Sequence, residues 1–288
     1  MTPSDPPRRK RLFWWWFVGV SVVLIVAMLF VRLVILNDKT VPLTTDEALE
    51  RYRSSTTAAE SVQPTAQATA TTQVTATTVV AQAQTLPTTG VYRYATVGRE
   101  SIDALDGTEH TYPDETTITY TATGCGVEMR WDALVERHDE WNLCVTDAGI
   151  ELQPNGGAYH MFFGQEKIEP IECDRSVVLL PANTPSVSGN PVSRSCTIGG
   201  EPWAQVWKVL DRNVRTVGGT KIDVQHVRFT VDDNDAFYEH ITLDWYLDGH
   251  GLLIEAKLAK LTYADTVLGG VTYKESYTLM LVSTTPLR

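Results

Sequence analysis

A mainly β fold, antiparallel and bent into a strongly curved sheet or open half-barrel, is what this sequence predicts, with one transmembrane helix and a disordered linker ahead of it. Three observations carry that expectation. Apolar and polar residues alternate at period two through much of the stretch 90–288. Leu12–Val31 is an uncharged apolar run directly after Arg8-Arg9-Lys10-Arg11. Four cysteines all lie beyond that run.

Residues 1–11 form a basic tail too short to fold. The next segment, 12–36, is long enough to span a membrane. A helix rises about 1.5 Å per residue, and roughly 20 apolar residues cross the hydrocarbon core. Arg32 interrupts the run, but a long arginine near a helix end can reach the headgroups. The basic cluster precedes the span and Asn37-Asp38-Lys39 follows without net charge, so the positive-inside rule places the N-terminus in the cytoplasm. Trp14, Trp15 and Trp16 sit where an interfacial aromatic belt belongs. A cleaved signal peptide would have a shorter apolar region and a small-residue cleavage site. Arg8-Arg9 is read as part of a polybasic flank rather than a twin-arginine signal. The expected location is therefore the plasma membrane, single-pass and signal-anchored, with the bulk of the chain extracytoplasmic.

Residues 37–53 hold a short helix. Thr44 and Glu47 form a capping box, and Asp46–Arg53 makes about two turns, with acids first and arginine last as the macrodipole favours. Residues 54–89 are low in complexity: of 36 residues, 12 are Thr, 8 Ala, 5 Gln and 3 Ser, and Glu60 carries the only charge. Such a composition lacks the apolar bulk to offset ordering entropy and reads as a disordered stalk of about 33 Å. Its end, Leu86-Pro87-Thr88-Thr89-Gly90, matches a sortase pattern, but a folded domain follows where a hydrophobic tail belongs. The match is read as coincidence.

The domain 90–288 follows. Val127, Met129, Trp131 and Ala133 alternate with charged residues and define a strand; Trp141, Leu143 and Val145 define the next, after a turn near Glu136–Asp139. Ile241, Leu243, Trp245 and Leu247 form another, turned by Asp248-Gly249-His250-Gly251 into Leu252–Tyr263. Val271, Tyr273, Tyr277, Leu279 and Leu281 mark a last long strand. Between Ile222 and Val231 the apolar phase slips near His226, which indicates a bulge. The stretches before Thr108 and Thr220 echo one another loosely, which allows two related halves.

Cys125, Cys144, Cys173 and Cys196 form no C-x-x-C pair, and their spacings suit two disulfides better than a zinc site. Proximity favours 125–144 with 173–196; the other two connectivities stay open. Cys125 falls on the same face as Trp131 and Cys144 on the opposite face from Trp141. A plain cross-strand bridge therefore requires Gly124 and Gly126 to take Cys125 out of the strand.

The candidate polar cluster is His226, His240 and Asp244. If the hairpin turns at Asp232-Asp233-Asn234-Asp235, the two histidines face each other and Asp244 follows on the same face, an arrangement open to metal or acid–base chemistry but equally to a solvated sheet surface. The acidic loop lacks the glycine and spacing of a calcium loop. His160-Met161-Phe162-Phe163-Gly164 is an apolar patch, expected as core or pocket lining. No G-x-S-x-G or H-E-x-x-H pattern exists, and no cofactor is called for.

Net charge is −11. Four of the 24 basic residues and one of the 35 acidic residues precede the span, leaving 20 and 34 beyond it. That balance argues against nucleic acid as a partner.

The stretch from Gly90 through Cys144 resembles uncharacterised actinobacterial single-span membrane proteins with an extracytoplasmic β domain. The segment Trp245–Leu258 with its curved-sheet setting resembles the repeating hairpins of LolA- and LprG-type carriers, although no lipobox cysteine follows the span. The sheet signal, the anchor and the absence of catalytic motifs lead us to expect a non-enzymatic binder or carrier of an apolar, lipid or cell-envelope ligand. The alternatives are a protein–protein interaction module of the envelope and a hydrolase whose site is assembled from distant residues such as His240, Asp244 or His160.

Overall fold

The computed structural model describes residues 40–60, 85–103, 109–162, 165–182, 189–233, 239–266 and 269–288. Thr40–His160 and Lys167–Arg288 form one compact unit. The predicted span at 12–36, most of the linker and residues 105–107 of the internal echo lie outside the described residues. Among the described residues no helix is long and apolar enough to cross a membrane.

Among the described residues one helix, α1 (Thr45–Glu60), precedes fourteen strands. These are β1 (Gly90–Ile102), β2 (Glu109–Thr111), β3 (Glu115–Ala122), β4 (Gly126–Leu134), β5 (Arg137–Thr146), β6 (Gly149–Phe162) and β7 (Gln165–Cys173). They continue with β8 (Val177–Pro181), β9 (Val192–Ile198), β10 (Glu201–Val217), β11 (Thr220–Asp233), β12 (Glu239–Leu247), β13 (Leu253–Thr266) and β14 (Gly269–Leu281). The sheet runs β14-β13-β12-β11-β10-β9-β7-β6-β5-β4-β3-β1, and β1 then pairs β14, closing a 12-strand antiparallel barrel. β2 is a spur on β1, and β8 pairs β6.

The strand pattern is as expected, but the sheet is closed rather than an open half-barrel. Tyr94 pairs with Leu281, and the ladder continues to Ile102 with Tyr273. Nothing local announces a contact between the two ends of a domain. One core cluster runs from Tyr92 to Leu281.

Eight strands enclose a space that side chains alone just fill, and twelve enclose more. All five tryptophans of the domain point inward to occupy it. Trp141 on β5 meets Trp245 on β12, diametrically opposite in the ring, at 5.2 Å between ring centroids. Trp131 packs on Tyr277 at 4.5 Å, and Trp207 on Phe229 at 5.0 Å and on Trp245 at 5.5 Å. One end is plugged by the turn after β12. Gly251, with φ +82°, lies against Ile150 and Leu143 on the far wall. Tyr94 donates to the Leu253 carbonyl at 2.6 Å, and the Leu253 amide donates to Tyr120 at 3.0 Å.

The capping box forms as predicted: the Thr44 amide donates to the Glu47 carboxylate at 2.8 Å, and the Glu47 amide to the Thr44 hydroxyl at 3.3 Å. The helix runs on to Glu60, past Arg53 and into the stretch expected as linker. So short a helix is marginal alone, and docking provides its support. Leu43 and Ala48 bury against Val91, and Arg53 donates to the Arg288 carbonyl at 2.8 Å. The LPTTG stretch is built into the start of the barrel. Leu86 packs on the main core, Pro87 and Gly90 are buried, and Tyr92 donates to the Thr88 carbonyl at 2.8 Å.

Both expected disulfides form, 125–144 and 173–196. Cys125 precedes β4, whose first residue Gly126 pairs with Cys144, so the cysteine has left the strand phase. The β4–β5 turn is Val135-Glu136, earlier than the predicted 136–139, because Arg137 already pairs with Leu134. The bulge near His226 exists, but the extra residue is in β10: Leu210 and Asp211 together oppose His226.

A Cβ on Gly126 would stand 1.9 Å from the Leu143 carbonyl oxygen. Gly126→Ala should therefore lower stability by about 1–3 kcal/mol, the range for overpacking a filled site. Chemical denaturation of the oxidised protein measures this, and an unchanged midpoint would contradict the fit.

Candidate functional site

Alternation sends every second side chain of a closed barrel inward. At the end opposite the plug, those inward positions carry charge. Glu100 on β1, Arg137 and Asp139 on β5, His160 on β6, Glu239 on β12, Lys260 on β13 and Glu275 on β14 all point into the lumen. Register aligns several of them, since Lys260 pairs with Glu275 and Glu275 with Glu100.

Arg137 reaches across the lumen and organises the cluster. Its guanidinium donates to Glu100 at 3.0 Å and the Tyr112 hydroxyl at 2.6 Å, and pairs with Glu275 at 2.8 Å and Asp139 at 3.6 Å. It also lies over the Trp131 ring, 5.6 Å from the centroid. Tyr273 donates to Glu100 at 2.8 Å and to Glu275 at 3.1 Å. His110 and His160 each place a ring nitrogen 3.3 Å from Glu100. Glu239 accepts from Trp203 at 2.6 Å and from Thr262 at 3.1 Å, with Lys260 at 3.3 Å.

Burial pushes the Glu100 carboxyl up, but hydrogen bonds from His110 and His160 and the Arg137 charge outweigh it. They hold it far below the usual carboxylate range. Burial likewise opposes the Arg137 charge, and Glu275, Tyr112, Tyr273 and Asp139 around it raise its pKa well above the ordinary value. Asp139 is shifted the other way, upward by burial, with Arg137 only partly compensating.

Around this cluster the inward side chains are less completely buried than in the aromatic middle. Trp141, Ala158, His160, Trp203, Leu258, Lys260 and Tyr273 point inward yet remain half-buried. In a closed barrel, such side chains meet solvent only through the lumen. On the opposite wall stands Arg194 of β9, 5% exposed. Its Nε donates to Gln205 Oε1 at 2.8 Å and its Nη1 to the Gln153 carbonyl at 3.2 Å. That carbonyl is free because β6 slips against β5, leaving Gln153, Pro154 and Asn155 opposite Asn142.

The predicted polar cluster is only partly brought together. β11 and β12 pair about residue 236, not 233, so His226 faces Tyr246 and His240 faces Asp232. Six residues of strand, about 20 Å, separate the two histidines. His226 stacks on Tyr246 at 4.5 Å and bonds Asp244 at 2.6 Å and Asp211 at 3.3 Å. Asp244 is also held by Arg228 at 2.7 and 3.1 Å. Burial raises its pKa less than the Arg228 and His226 bonds lower it. This is a cross-strand ladder on the outer face. His240 pairs with Asp232 at 2.6 Å. Among the described residues no group of three or more His, Cys, Asp or Glu could hold a metal ion. Asn234 and Asp235 of the acidic loop, and Phe163 and Gly164 of the apolar patch, lie outside the described residues.

Sequence reading missed Glu100, Arg137, Arg194 and Glu275. A signal existed. Glu275 occupies the gap in the apolar series Val271, Tyr273, Tyr277, Leu279, Leu281, and a charge in phase with a buried face points into the core.

The fold and site define a disulfide-bonded β-barrel domain, plugged at one end by the β12–β13 turn and carrying charged inward residues toward the other. Neither a protein-family model, a curated protein nor a solved structure matches the chain.

Two outcomes check the cluster. Arg137→Met leaves three carboxylates facing one another in the lumen and should cost about 3–5 kcal/mol at neutral pH; an unchanged denaturation midpoint would refute the organising role. Glu100 has a folded-state pKa below its unfolded value near 4.5. Its contribution is thus complete above that pH and lost as pH falls further. Glu100→Gln should flatten the acid limb of stability measured from pH 5 downward, and a limb of equal slope would rule Glu100 out as its source.

Proposed function

We propose that this domain is a non-enzymatic binding module of the cell envelope that takes an amphipathic ligand into the open end of its barrel. The supporting observation is the set of half-buried, inward-facing residues above a self-packed aromatic floor, Trp141 and Trp203 among them. A wholly apolar ligand fits less well, since the chamber walls carry Arg137, Lys260, Glu239 and His160. The two disulfides suit an extracytoplasmic setting. The span at 12–36 would hold the domain at the membrane, as in the single-span proteins it resembles.

A second reading, an interaction module, draws on a concavity of about 640 Å³ on the outer face, lined by Arg99, Glu109, His240, Leu261, Lys274 and Ser276 among others. The lumen is favoured because its polar groups are buried at a desolvation cost that stability alone does not repay.

Ala158 faces inward at the mouth, opposite Asp139 on β5. Ala158→Trp should block the chamber. Full-length protein extracted from its membrane should retain a small molecule in native mass spectrometry, with occupancy about tenfold lower in the variant. Equal occupancy in both, or an empty mass for both, would defeat lumen binding.

A further inference from the structure

The two arginines inside the barrel are treated differently. Arg137 is surrounded by Glu100, Glu275 and Asp139. Arg194 is as deeply buried, yet among the described residues no carboxylate lies within 4.0 Å of its guanidinium. Its partners are neutral: the Gln205 side chain, the Gln153 carbonyl and the Trp207 ring, 5.6 Å from the guanidinium carbon. Burial draws its pKa down to about 10, with only Asp174 acting against that. A buried charge without a counter-charge is costly, and nothing in the packing explains its retention.

The donors around it are arranged. Gln205 Oε1 accepts from both Arg194 Nε and Trp207 Nε1, at 2.8 and 3.1 Å, which turns the amide nitrogen away from them. Within the described chain no hydrogen bond uses Arg194 Nη2 or Gln205 Nε2. Two neighbouring donors, one of them cationic, thus remain uncommitted among the described residues. Gln205 precedes by one residue the Val206–Thr230 pair and lies two residues below Trp203, so both donors sit just below the half-buried inward residues of the charged end. Around them stand Trp203, Trp207 and Phe229, in edge or tilted contact at 5.0–5.8 Å.

We infer that Arg194 and Gln205 anchor the anionic head of the lumen ligand, and that this head is a carboxylate on an apolar chain or ring system. The inference rests on the lumen-binding reading and specifies its ligand. One guanidinium balances one negative charge, and its planar edge matches a carboxylate; a phosphate monoester would bring a second charge that nothing on this wall offsets. The half-buried indole of Trp203 offers a flat apolar surface that an attached chain would cover, above the buried Trp207.

The test uses the full chain in nanodiscs of zwitterionic phospholipid. The probes are a diazirine-bearing palmitic acid and the matching diazirine-bearing alcohol, with cross-linked peptides mapped by mass spectrometry. The acid should label the peptides carrying Trp203 and Trp207, and the alcohol about tenfold less. Arg194→Met should reduce acid labelling there by about tenfold to a hundredfold, the range for losing a charged hydrogen bond, while Arg194→Lys keeps a larger share. Equal labelling by acid and alcohol, or acid labelling that Arg194→Met leaves unchanged, overturns the anion assignment and leaves lumen binding standing. So does a phosphate-headed diazirine lipid that labels more strongly than the acid. Failure of every probe to label the lumen overturns lumen binding and the anion assignment together. The acid-to-alcohol comparison needs no variant, so it decides the matter even where Arg194→Met does not fold.

Discussion

Tyr94–Ile102 of β1 pairs with Tyr273–Leu281 of β14, joining the two ends of the domain, and the interior is defined by that ladder. Without it the sheet would have two edges and a concave face open along its length. With it, every second residue of twelve strands is committed to a closed space, whether or not its chemistry suits burial. Closing so long a loop carries an entropic cost that only the completed core offsets. The C-terminal residues reinforce it: Leu287 and Val91 exchange backbone hydrogen bonds at 2.8 and 3.0 Å.

The enclosed space is divided along the barrel axis. At one end the β12–β13 turn folds across and meets Leu143 and Ile150. In the middle, tryptophans and tyrosines meet from opposite walls, since smaller side chains would not span twelve strands. At the other end, charged residues take the inward positions. Arg137 satisfies three carboxylates there, and its cation lies over Trp131, so the charged layer rests directly on the aromatic one. Arg194 breaks the pattern of compensation. Its guanidinium is oriented by neutral groups on a wall otherwise built of indole, and this contrast points toward an anionic ligand.

Much of the architecture was legible in the residue order because it is local. The Thr44–Glu47 capping box lies within one turn, and the alternation around Trp131 and Trp245 follows from the pleat. The glycines flanking Cys125 gave the condition under which it could reach Cys144, and that condition holds. Errors arose where one element's position depends on another. α1 continues beyond Arg53, where Leu43 and Ala48 dock it on Val91. His226 and His240 were placed opposite each other by a hairpin centre three residues too early, which shifts the pairing by six residues and moves the partner about 20 Å along the strand. The bulge was visible as a phase slip in β11, although the inserted residue belongs to β10.

The sequence by itself determined six of the strands, the helix cap, the four cysteines as two bridges and the apolar run that points to a membrane anchor. Each follows from periodicity, spacing or composition within a short window. Only the tertiary structure decided that the sheet closes, that Glu100, Arg137 and Glu275 share one cluster, and that among the described residues no carboxylate lies within 4.0 Å of the Arg194 guanidinium. Those are relations between strands far apart in the chain. The energy of a buried charge depends on what surrounds it in space, so no window of sequence could state which of the two arginines would be paired.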